Sequence, residues 1–374
     1  MIEPKMFYDM LLRNGTDFFT GVPDSLLKNF CAYITDTAPE HSHIIAANEG
    51  NAVALAAGHH FATGSIPLVY MQNSGLGNTV NPLLSLSDPE VYSVPLVLIV
   101  GWRGEPGIHD EPQHVKQGKA TCSLLDAMHI PYVIMAETED ALRIQLDYCY
   151  NEIKRNSAPF AFVVKKNTFA PYTLKKNKTV SATMSREQAI ETVILTAPKD
   201  ACFVSTTGMA SRELFELREK HGMGHASDFL TVGSMGHASQ IALGISLSKP
   251  DRPVYCLDGD GAALMHLGGM AIIGSRKPAR YVHIVLNNSA HDSVGGQPTV
   301  ADRIDLPAAA RALGYKTVLS ANSPQELDSA LKTAASAATL TFIEIKVQKG
   351  ARKDLGRPTT SPIQNKEAFM EFLK

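Results

Sequence analysis

Two short polar segments, each after an apolar run, carry residue types that bind a metal-bridged diphosphate. Gly259-Asp260-Gly261 follows Val254–Leu257, and Asn287-Asn288 follows a run that begins at Tyr281. A hard divalent cation prefers oxygen ligands, and a carboxylate and an amide at the ends of adjacent parallel strands supply them. The glycines let a phosphate approach the backbone, and a helix that begins after Gly261 would attract an anion. The pattern predicts a site for a diphosphate bridged to Mg²⁺.

Short apolar runs alternate with helical patterns along the chain. This alternation predicts an α/β fold with two doubly wound parallel-sheet domains, covered by helices on both faces. Polar and glycine-rich turns follow the runs, as expected where ligands bind at the carboxyl ends of strands. The predicted strands are Phe18–Val22, His43–Ala46, Leu68–Met71, Leu96–Val100, Phe160–Val164, Cys202–Ser205, Val254–Leu257, Val282–Leu286 and Thr341–Val347.

The length of 374 residues favours two domains. A polar, basic stretch that contains Pro171 and lacks an apolar period separates the halves. We predict a first domain at 1–168, a linker at 169–184 and a second domain at 185–374.

The composition narrows the class of protein. The 35 basic and 37 acidic residues give a net charge of −2, which argues against nucleic-acid binding. No apolar stretch is long enough for a membrane span, and the N-terminus lacks the pattern of a signal peptide. The five cysteines are scattered without zinc or disulfide spacing. We expect a cytoplasmic protein without a membrane or nucleic-acid partner.

The acidic turn and the paired amides resemble the motif of thiamine-diphosphate-dependent enzymes. The resemblance implies thiamine diphosphate and Mg²⁺ as cofactors. It implies that Asp260, Asn288 and the backbone carbonyl of Ala290 bind the metal, with Asn287 as the alternative to Asn288. The turn residues Gly259, Gly261 and Ala262 would contact the cofactor.

A second segment, Ala47–Gly58, is similar to the family helix that opens with a glutamate, here Glu49. In the family, a carboxyl group that is hydrogen-bonded to the pyrimidine ring of the cofactor favours the imino tautomer of the cofactor's amino group. This tautomer removes the thiazolium proton. Burial among Ala and Val would keep this carboxyl protonated more readily than in water. Without the resemblance, the preferred explanation of Glu49 would be an acid in the first turn that interacts with the helix dipole.

Two further turns resemble cofactor contacts of the family, which implies a pyrimidine-binding first domain and a diphosphate-binding second domain. The loop at 233–236 is similar to the one that receives the pyrimidine, with a methionine that props the cofactor in its bent form. The turn after Cys202–Ser205 is similar to one that contacts the diphosphate. The residues concerned are Gly233, Ser234, Met235, Thr206, Thr207 and Gly208.

The turn at Asn73–Asn78 resembles the Ser-Gly-Pro-Gly turn of the family, with Leu76 where proline is common. Gln72 also differs from the usual small or apolar residue. These differences point to a subgroup of the family. The segments Gly21–Lys28, Gln72–Asn81, Gly101–Gly107, Asp110–His114 and Ser293–Thr299 resemble those of phosphonopyruvate decarboxylases, with sulfopyruvate decarboxylases as near kin. The resemblance implies a carbon-carbon lyase that converts 3-phosphonopyruvate to phosphonoacetaldehyde and CO₂ in phosphonate metabolism.

Several polar residues of the first domain are candidates for binding this anionic 2-oxo acid, since an arginine fork suits carboxylates and phosphonates. Asp24 matches a position at which decarboxylases of the family have an acid near the reacting carbon. The alternative is that Asp24 caps a helix that begins near Ser25. The candidate proton donors are Asp24, His109 and His291. The substrate-binding candidates are Ser25, Lys28, Asn73, Arg103 and His114.

In the family, the cofactor lies between the first domain of one subunit and the second domain of another. We therefore expect a homodimer or a dimer of dimers, in which Glu49 and Asp260 of one site come from different chains. The alternatives are a sulfopyruvate decarboxylase, another 2-oxo acid decarboxylase or carboligase, and a nucleotide-binding α/β protein without catalysis.

Overall fold

The computed structural model describes residues 1–176 and 182–374. The chain divides into two compact units, Met1–Asn177 with His291–Gln297, and Lys178–Ala290 with Pro298–Lys374. Residues 177–181 of the predicted linker lie outside the described residues. At the start of that linker, Phe169 packs into the core of the first unit. At its end, Met184 is buried in the second unit. The boundaries at 168 and 185 stay a prediction.

The first unit contains a six-stranded sheet of parallel strands in the order β2-β1-β3-β4-β6-β5. A 3₁₀ turn at Asn73–Gly75 precedes the fourth helix, and a π-helical turn at Leu83–Ser87 follows it. The strands are β1 (Phe19–Gly21), β2 (His43–Ile45), β3 (Leu68–Gln72), β4 (Val97–Gly101), β5 (Tyr132–Ile134) and β6 (Phe160–Val164). The helices are α1 (Pro4–Arg13), α2 (Lys28–Thr37), α3 (Glu49–Thr63), α4 (Leu76–Pro82), α5 (Pro112–Ala127) and α6 (Glu139–Asn156).

The second unit also has a six-stranded parallel sheet, in the order β11-β12-β10-β9-β7-β8. Its strands are β7 (Cys202–Ser205), β8 (Asp228–Leu230), β9 (Val254–Gly259), β10 (Tyr281–Asn287), β11 (Thr317–Ala321) and β12 (Thr341–Lys346). Its helices are α7 (Arg186–Thr196), α8 (Met209–Lys220), α9 (Ala238–Ser248), α10 (Asp260–Met265), α11 (Gly268–Arg276), α12 (Leu306–Ala312), α13 (Pro324–Ala337) and α14 (Pro362–Phe372). The helix at the acidic turn begins at Asp260, not after Gly261 as predicted.

Each sheet has an apolar core on both faces, because successive side chains of a strand point in opposite directions. In β3, Leu68 and Tyr70 pack into one core, and Val69 and Met71 pack into the other. The strands of the second sheet alternate between two cores in the same way. The predicted doubly wound α/β architecture is confirmed. No helix among the described residues combines the length and the hydropathy that crossing a membrane requires.

All nine predicted strands are present, with ends that differ by at most one or two residues. Three strands were not predicted, namely β5, β8 and β11, and all three lie at a sheet edge. The strand β8 begins with an aspartate and β11 includes an exposed serine, as an incompletely covered edge strand allows. The strand β5 is apolar but only three residues long.

The strand order places one topological switch point in each sheet, where ligands of such folds bind. In the first sheet, β2 lies on one side of β1 and β3 lies on the other. In the second sheet β7 has β8 on one side and β9 on the other. At the first switch point, Asp24 lies just after β1 and Gln72 is the last residue of β3. Thr206 and Asp260 follow the strands at the second.

Candidate active site

Glu49 is the first residue of α3 and is only 5% exposed. Asn48 caps the helix by accepting a 2.8 Å hydrogen bond from the backbone N–H of Gly50. Burial raises the pKa of Glu49, and a hydrogen bond of 2.7 Å from Nδ2 of Asn78 to Oε2 opposes that rise. The predicted direction of this pKa shift is confirmed.

The glycine-rich turn after β3 is shaped around this carboxyl. A Cβ on Gly75 would lie 2.6 Å from Oε1 of Glu49, so only glycine fits there without a shift. Leu76 replaces the common proline, and its backbone N–H donates to the carbonyl of Asn73. A proline could not make this hydrogen bond. The departure from the family pattern is therefore compatible with a well-formed turn.

Asp24 is fully buried at the end of β1. Its Oδ2 accepts a 2.9 Å hydrogen bond from the backbone of Leu26, and its Oδ1 accepts one of 2.6 Å from Nε2 of Gln72. Burial raises the pKa of Asp24, although these hydrogen bonds oppose the rise. The alternative role as a helix cap is wrong, since α2 begins at Lys28 with Leu27 at its N-cap and no side-chain cap.

Arg103 forms a two-pronged ion pair with Asp110. Its Nε donates to Oδ2 at 2.8 Å and its Nη2 to Oδ1 at 2.5 Å, while Nη1 donates to Oγ of Ser25 at 2.9 Å. The guanidinium holds the pKa of Asp110 at about 2. Arg103 is therefore oriented and largely neutralised within its own loop.

Asn73 and His114, two predicted substrate contacts, lie behind this loop. Nδ2 of Asn73 donates to the carbonyl of Arg103 at 2.7 Å and to Oγ1 of Thr121 at 2.9 Å. His114 is 7% exposed, and burial together with the charge of Arg103 lowers its pKa to about 4. Its Nδ1 is buried and makes no hydrogen bond among the described residues. These contacts support the backbone that carries Arg103, and a direct substrate contact by either residue stays a prediction.

A cavity of about 310 Å³ in the first unit brings together four of the predicted residues, Ser25, Lys28, Arg103 and His109. His109 is exposed at its rim. Lys166, which the sequence analysis missed, also contributes to the lining. It follows β6, whose end lies next to that of β4, and this neighbour relation is the signal that could have identified it.

In the second unit, the register of β9 and β10 pairs Gly259 with Leu286, so the acidic turn and the paired asparagines follow neighbouring strand ends. Asp260 is 3% exposed. Oγ1 of Thr299 donates a 2.5 Å hydrogen bond to its Oδ2. Thr299 is a supporting residue that sequence reasoning did not assign to the site.

The two asparagines differ in what they contact. Asn287 donates from Nδ2 to Glu344 at 2.7 Å, and its Oδ1 accepts from both the backbone and the hydroxyl of Ser289. Asn288 accepts a 3.0 Å hydrogen bond from the backbone of Ala290. Because Asn287 fastens the strand end to β12, these contacts favour Asn288 as the metal ligand.

A buried polar network, also missed from the sequence, holds the acidic turn from behind. Oδ1 of Asp258 accepts from the backbone of Gly259 at 3.0 Å, and Oδ2 lies 3.3 Å from Nε2 of His283. Nδ1 of His283 lies 3.0 Å from the hydroxyl of Tyr315. Both ring nitrogens of His283 are thus engaged, which fixes the carboxylate that orients Gly259.

The predicted diphosphate turn offers polar atoms that suit an anion. Oγ1 of Thr206 is buried and has no hydrogen-bond partner among the described residues. Thr207 accepts a 2.9 Å hydrogen bond from the backbone of Gly233, and so connects this turn to the predicted pyrimidine loop. Gly208 has a φ of 94°, which favours glycine. A buried hydroxyl without a partner is the chemistry that a phosphate oxygen would satisfy, so these residues fit the implied cofactor.

The predicted pyrimidine loop is a sharp turn with left-handed backbone at Gly233, Ser234 and Gly236. Ser234 has a φ of 47°, a conformation that serine adopts only when its surroundings impose it. The side chain of Met235 is half-buried within this turn. The turn lies just after β8 and before α9, close in sequence to the second switch point.

His291, a candidate proton donor, follows the predicted metal loop. It is half-buried, and desolvation lowers its pKa to about 4. Near neutral pH its imidazole would be neutral, so it would lack the extra proton that a general acid donates.

Two family models match, "Thiamine pyrophosphate enzyme, N-terminal TPP binding domain" at residues 4–128 and "Thiamine pyrophosphate enzyme, C-terminal TPP binding domain" at 206–345. Phosphonopyruvate decarboxylase of Streptomyces viridochromogenes is 36% identical, with 96% of this chain and 92% of the relative covered. That of Streptomyces hygroscopicus is also 36% identical, covering 96% and 90%. Sulfopyruvate decarboxylase of Methanosarcina acetivorans is 28% identical, covering 98% and 96%.

Proposed function

The chain belongs to the thiamine pyrophosphate enzyme family, and we propose that it decarboxylates 3-phosphonopyruvate to phosphonoacetaldehyde and CO₂ in phosphonate metabolism. It is a carbon-carbon lyase. The observation that carries the choice of substrate is the cavity whose lining includes Lys28, Lys166 and Arg103, the last of which is already paired with Asp110. This substrate carries both a carboxylate and a phosphonate, which such a lining attracts.

Thiamine diphosphate, when bound, supplies the carbanion that adds to the ketone and the electron sink for the breaking carbon-carbon bond. Asp260, Asn288 and the carbonyl of Ala290 would hold the Mg²⁺ that anchors its diphosphate. Thr206, Thr207 and Gly208 would contact the diphosphate, together with Gly259, Gly261 and Ala262. Gly233, Ser234 and Met235 would receive the pyrimidine.

Glu49 would hold a proton against a ring nitrogen of the pyrimidine. Its burial raises the pKa, so the carboxyl can act as a donor at a higher pH than an exposed glutamate could. Gly75 leaves room beside Oε1, where a larger residue would cover the group.

The substrate anion would meet two cations whose charge the protein does not balance. Arg103 is paired with Asp110, and Glu105, another lining residue, is paired with Lys165 at 2.8 Å. Among the described residues, Lys28 and Lys166 have no carboxylate within ion-pair distance. A phosphonate can carry more negative charge than a sulfonate, so this excess favours phosphonopyruvate over sulfopyruvate.

Asp24 is the best supported donor of the proton that replaces the carboxylate. Burial raises its pKa, whereas desolvation lowers that of His291 to about 4. His109 is exposed. A protonated carboxyl that is fixed by its neighbours is suited to general acid catalysis.

We further propose that the enzyme is a homodimer or a dimer of dimers. The helix α3, which begins at Glu49, exposes a face of small and apolar residues that includes Leu55 and Phe61, the latter 60% exposed. An exposed apolar face of this kind suits a second copy of the chain. Glu49 of one chain would then serve the metal site of another.

The substrate assignment is tested by steady-state kinetics with thiamine diphosphate, Mg²⁺ and phosphonopyruvate, sulfopyruvate or pyruvate. We expect CO₂ and aldehyde in equal amounts, with the highest kcat/KM for phosphonopyruvate and no turnover after removal of either cofactor. A higher kcat/KM for sulfopyruvate would overturn the substrate. A coupled product as the main species with added acetaldehyde would indicate a carboligase, and cofactor binding without any turnover would indicate a protein without catalysis.

A further inference from the structure

Gln72, which departs from the family pattern, contacts the candidate proton donor directly. It ends β3, and Asp24 follows β1 on the neighbouring strand. The distance from Nε2 of Gln72 to Oδ1 of Asp24 is 2.6 Å. The side chain of Gln72 therefore occupies the first switch point, where ligands of this fold bind.

The second oxygen of Asp24 is held by other groups. Oδ2 accepts the 2.9 Å hydrogen bond from the backbone of Leu26. It also lies against Gly101, where a Cβ would come within 2.2 Å. Gly101 pairs with Gln72 in the sheet, so the glycine and the glutamine close around one carboxyl from adjacent positions.

Ser74 holds the other end of the Gln72 amide. Its hydroxyl donates a 2.7 Å hydrogen bond to Oε1 of Gln72. With Oε1 engaged, Nε2 is the atom directed at the carboxyl, so the orientation follows from the network.

We propose that Gln72 is a positioning residue for Asp24, oriented by Ser74, and that it fixes the direction in which Asp24 presents its carboxyl to substrate. This inference rests on the proposed function. With Oδ2 fastened to the backbone of Leu26, the contact at Oδ1 removes the remaining rotation of the carboxyl plane. Precise orientation matters because proton transfer requires hydrogen-bond reach to the reacting carbon.

The same contact influences when Asp24 holds its proton. A donor at Oδ1 favours the ionised carboxylate, against the effect of burial. The other titratable group that acts on Asp24 is the guanidinium of Arg103, which favours ionisation. The buried thiol of Cys31 also lies near Asp24, whose charge helps to raise the pKa of that thiol. Loss of the Gln72 donor should raise the pKa of Asp24 by about one unit, as expected for one hydrogen bond to an ionised group.

The test compares Gln72→Met with Gln145→Met, a matched control. Gln145 is also half-buried in the first unit and makes two hydrogen bonds, one to the carbonyl of Ile134 and one from the backbone of Ala136. The pKa of Asp24 is measured by carboxyl-carbon NMR on the full-length protein, with Asp24→Asn to assign the signal. The pH profile of kcat is measured beside it.

We expect Gln72→Met to raise the pKa of Asp24 and to lower kcat roughly tenfold, about the effect of losing one hydrogen bond to a charged group, with little change in KM. Because a proton donor loses activity as pH rises through its pKa, the alkaline limb of the kcat profile should move upward by the same amount. Gln145→Met should change neither quantity. Ser74→Ala, at an exposed position, should shift the pKa in the same direction by less.

An unchanged pKa of Asp24 in both Gln72→Met and Ser74→Ala would overturn the inference. So would a loss of kcat no greater than in Gln145→Met. If Gln72→Met does not fold, Ser74→Ala decides. If the wild-type protein does not turn over phosphonopyruvate, the proposed function fails, and the NMR titration still tests the contact on its own.

Discussion

Asn78 donates a 2.7 Å hydrogen bond to Oε2 of Glu49, in a carboxyl whose pKa burial raises. In the protonated form, an oxygen that accepts from an amide acts as the carbonyl oxygen. The proton then lies on Oε1, the atom beside Gly75. Asn78 and Gly75 together therefore determine which oxygen is the donor and leave space in front of it.

Glu49→Gln should lower kcat by about 10²–10⁴-fold, the usual contribution of general acid–base catalysis. The amide keeps the size of the side chain and can still accept from Asn78, but it has no acidic proton. Calorimetry should show that the cofactor still binds. Glu139→Gln, on the exposed surface of α6, is the control and should keep wild-type activity. Wild-type kcat in Glu49→Gln would exclude the proposed role.

At pH values above the pKa of Glu49, Glu49→Gln should stabilise the cofactor-free protein. The folded state raises that pKa, so the contribution of Glu49 to stability is greatest below the ordinary pKa of a glutamate and is lost as pH rises through the folded value. Glutamine has no charge to bury. Thermal unfolding should give Glu49→Gln a higher Tm than wild type at pH 8, with the difference shrinking as the pH is lowered towards 4. A difference that is constant with pH would contradict this account.

Asp260→Ala should lose activity chiefly through cofactor affinity, because Mg²⁺ anchors the diphosphate and takes no part in bond breaking. We expect the Kd for thiamine diphosphate with Mg²⁺ to rise by at least about tenfold, and saturating cofactor to restore part of kcat. Asp251→Ala, at an exposed position in the same unit, should bind normally. An inactive Asp260→Ala protein with normal calorimetric binding would show that the carboxylate has another role.

Lys166→Met should raise KM for phosphonopyruvate by about tenfold, in line with the loss of one hydrogen bond to a charged group. The change in kcat should be small, since the lysine would contact the anion and not the reacting carbon. Lys119→Met, on the exposed side of α5, removes the same charge away from the cavity and is the matched control. Equal KM values in the two variants would show that the effect of Lys166 is only general electrostatics.

The central strands could be predicted because burial on both faces demands a continuous apolar run, as in Val97–Gly101, which is buried throughout. Tyr132–Ile134 has only partly buried residues, and the edge strand Thr317–Ala321 includes an exposed serine. The strand Tyr132–Ile134 is only three residues long, and periodicity alone does not distinguish a short apolar run from a buried helix segment.

The site could be predicted where chemistry follows a strand end directly, as for Asp260 and Asn288. Supporting contacts could not, because they join residues far apart in the chain. Thr299 lies 39 positions from Asp260, and Gln72 lies 48 positions from Asp24. Only the folded sheet brings such pairs within hydrogen-bond distance.

The proposed division of the site between chains predicts complementation of two variants, measured at a cofactor concentration too low to activate Asp260→Ala. Glu49→Gln and Asp260→Ala alter different units of the chain. In a mixed dimer, one of the two sites would receive the intact Glu49 of one subunit and the intact Asp260 of the other, while the second site would carry both changes. Mixing equal amounts under conditions of subunit exchange should therefore recover roughly a quarter of wild-type activity, because half of the dimers are mixed and half of their sites are intact.

The control is a mixture of Asp251→Ala with Asp260→Ala, in which activity should not exceed that of the intact sites present. Labelled subunits and native mass spectrometry establish that exchange has occurred. Proven exchange without any recovery would show that each site draws Glu49 and Asp260 from one chain.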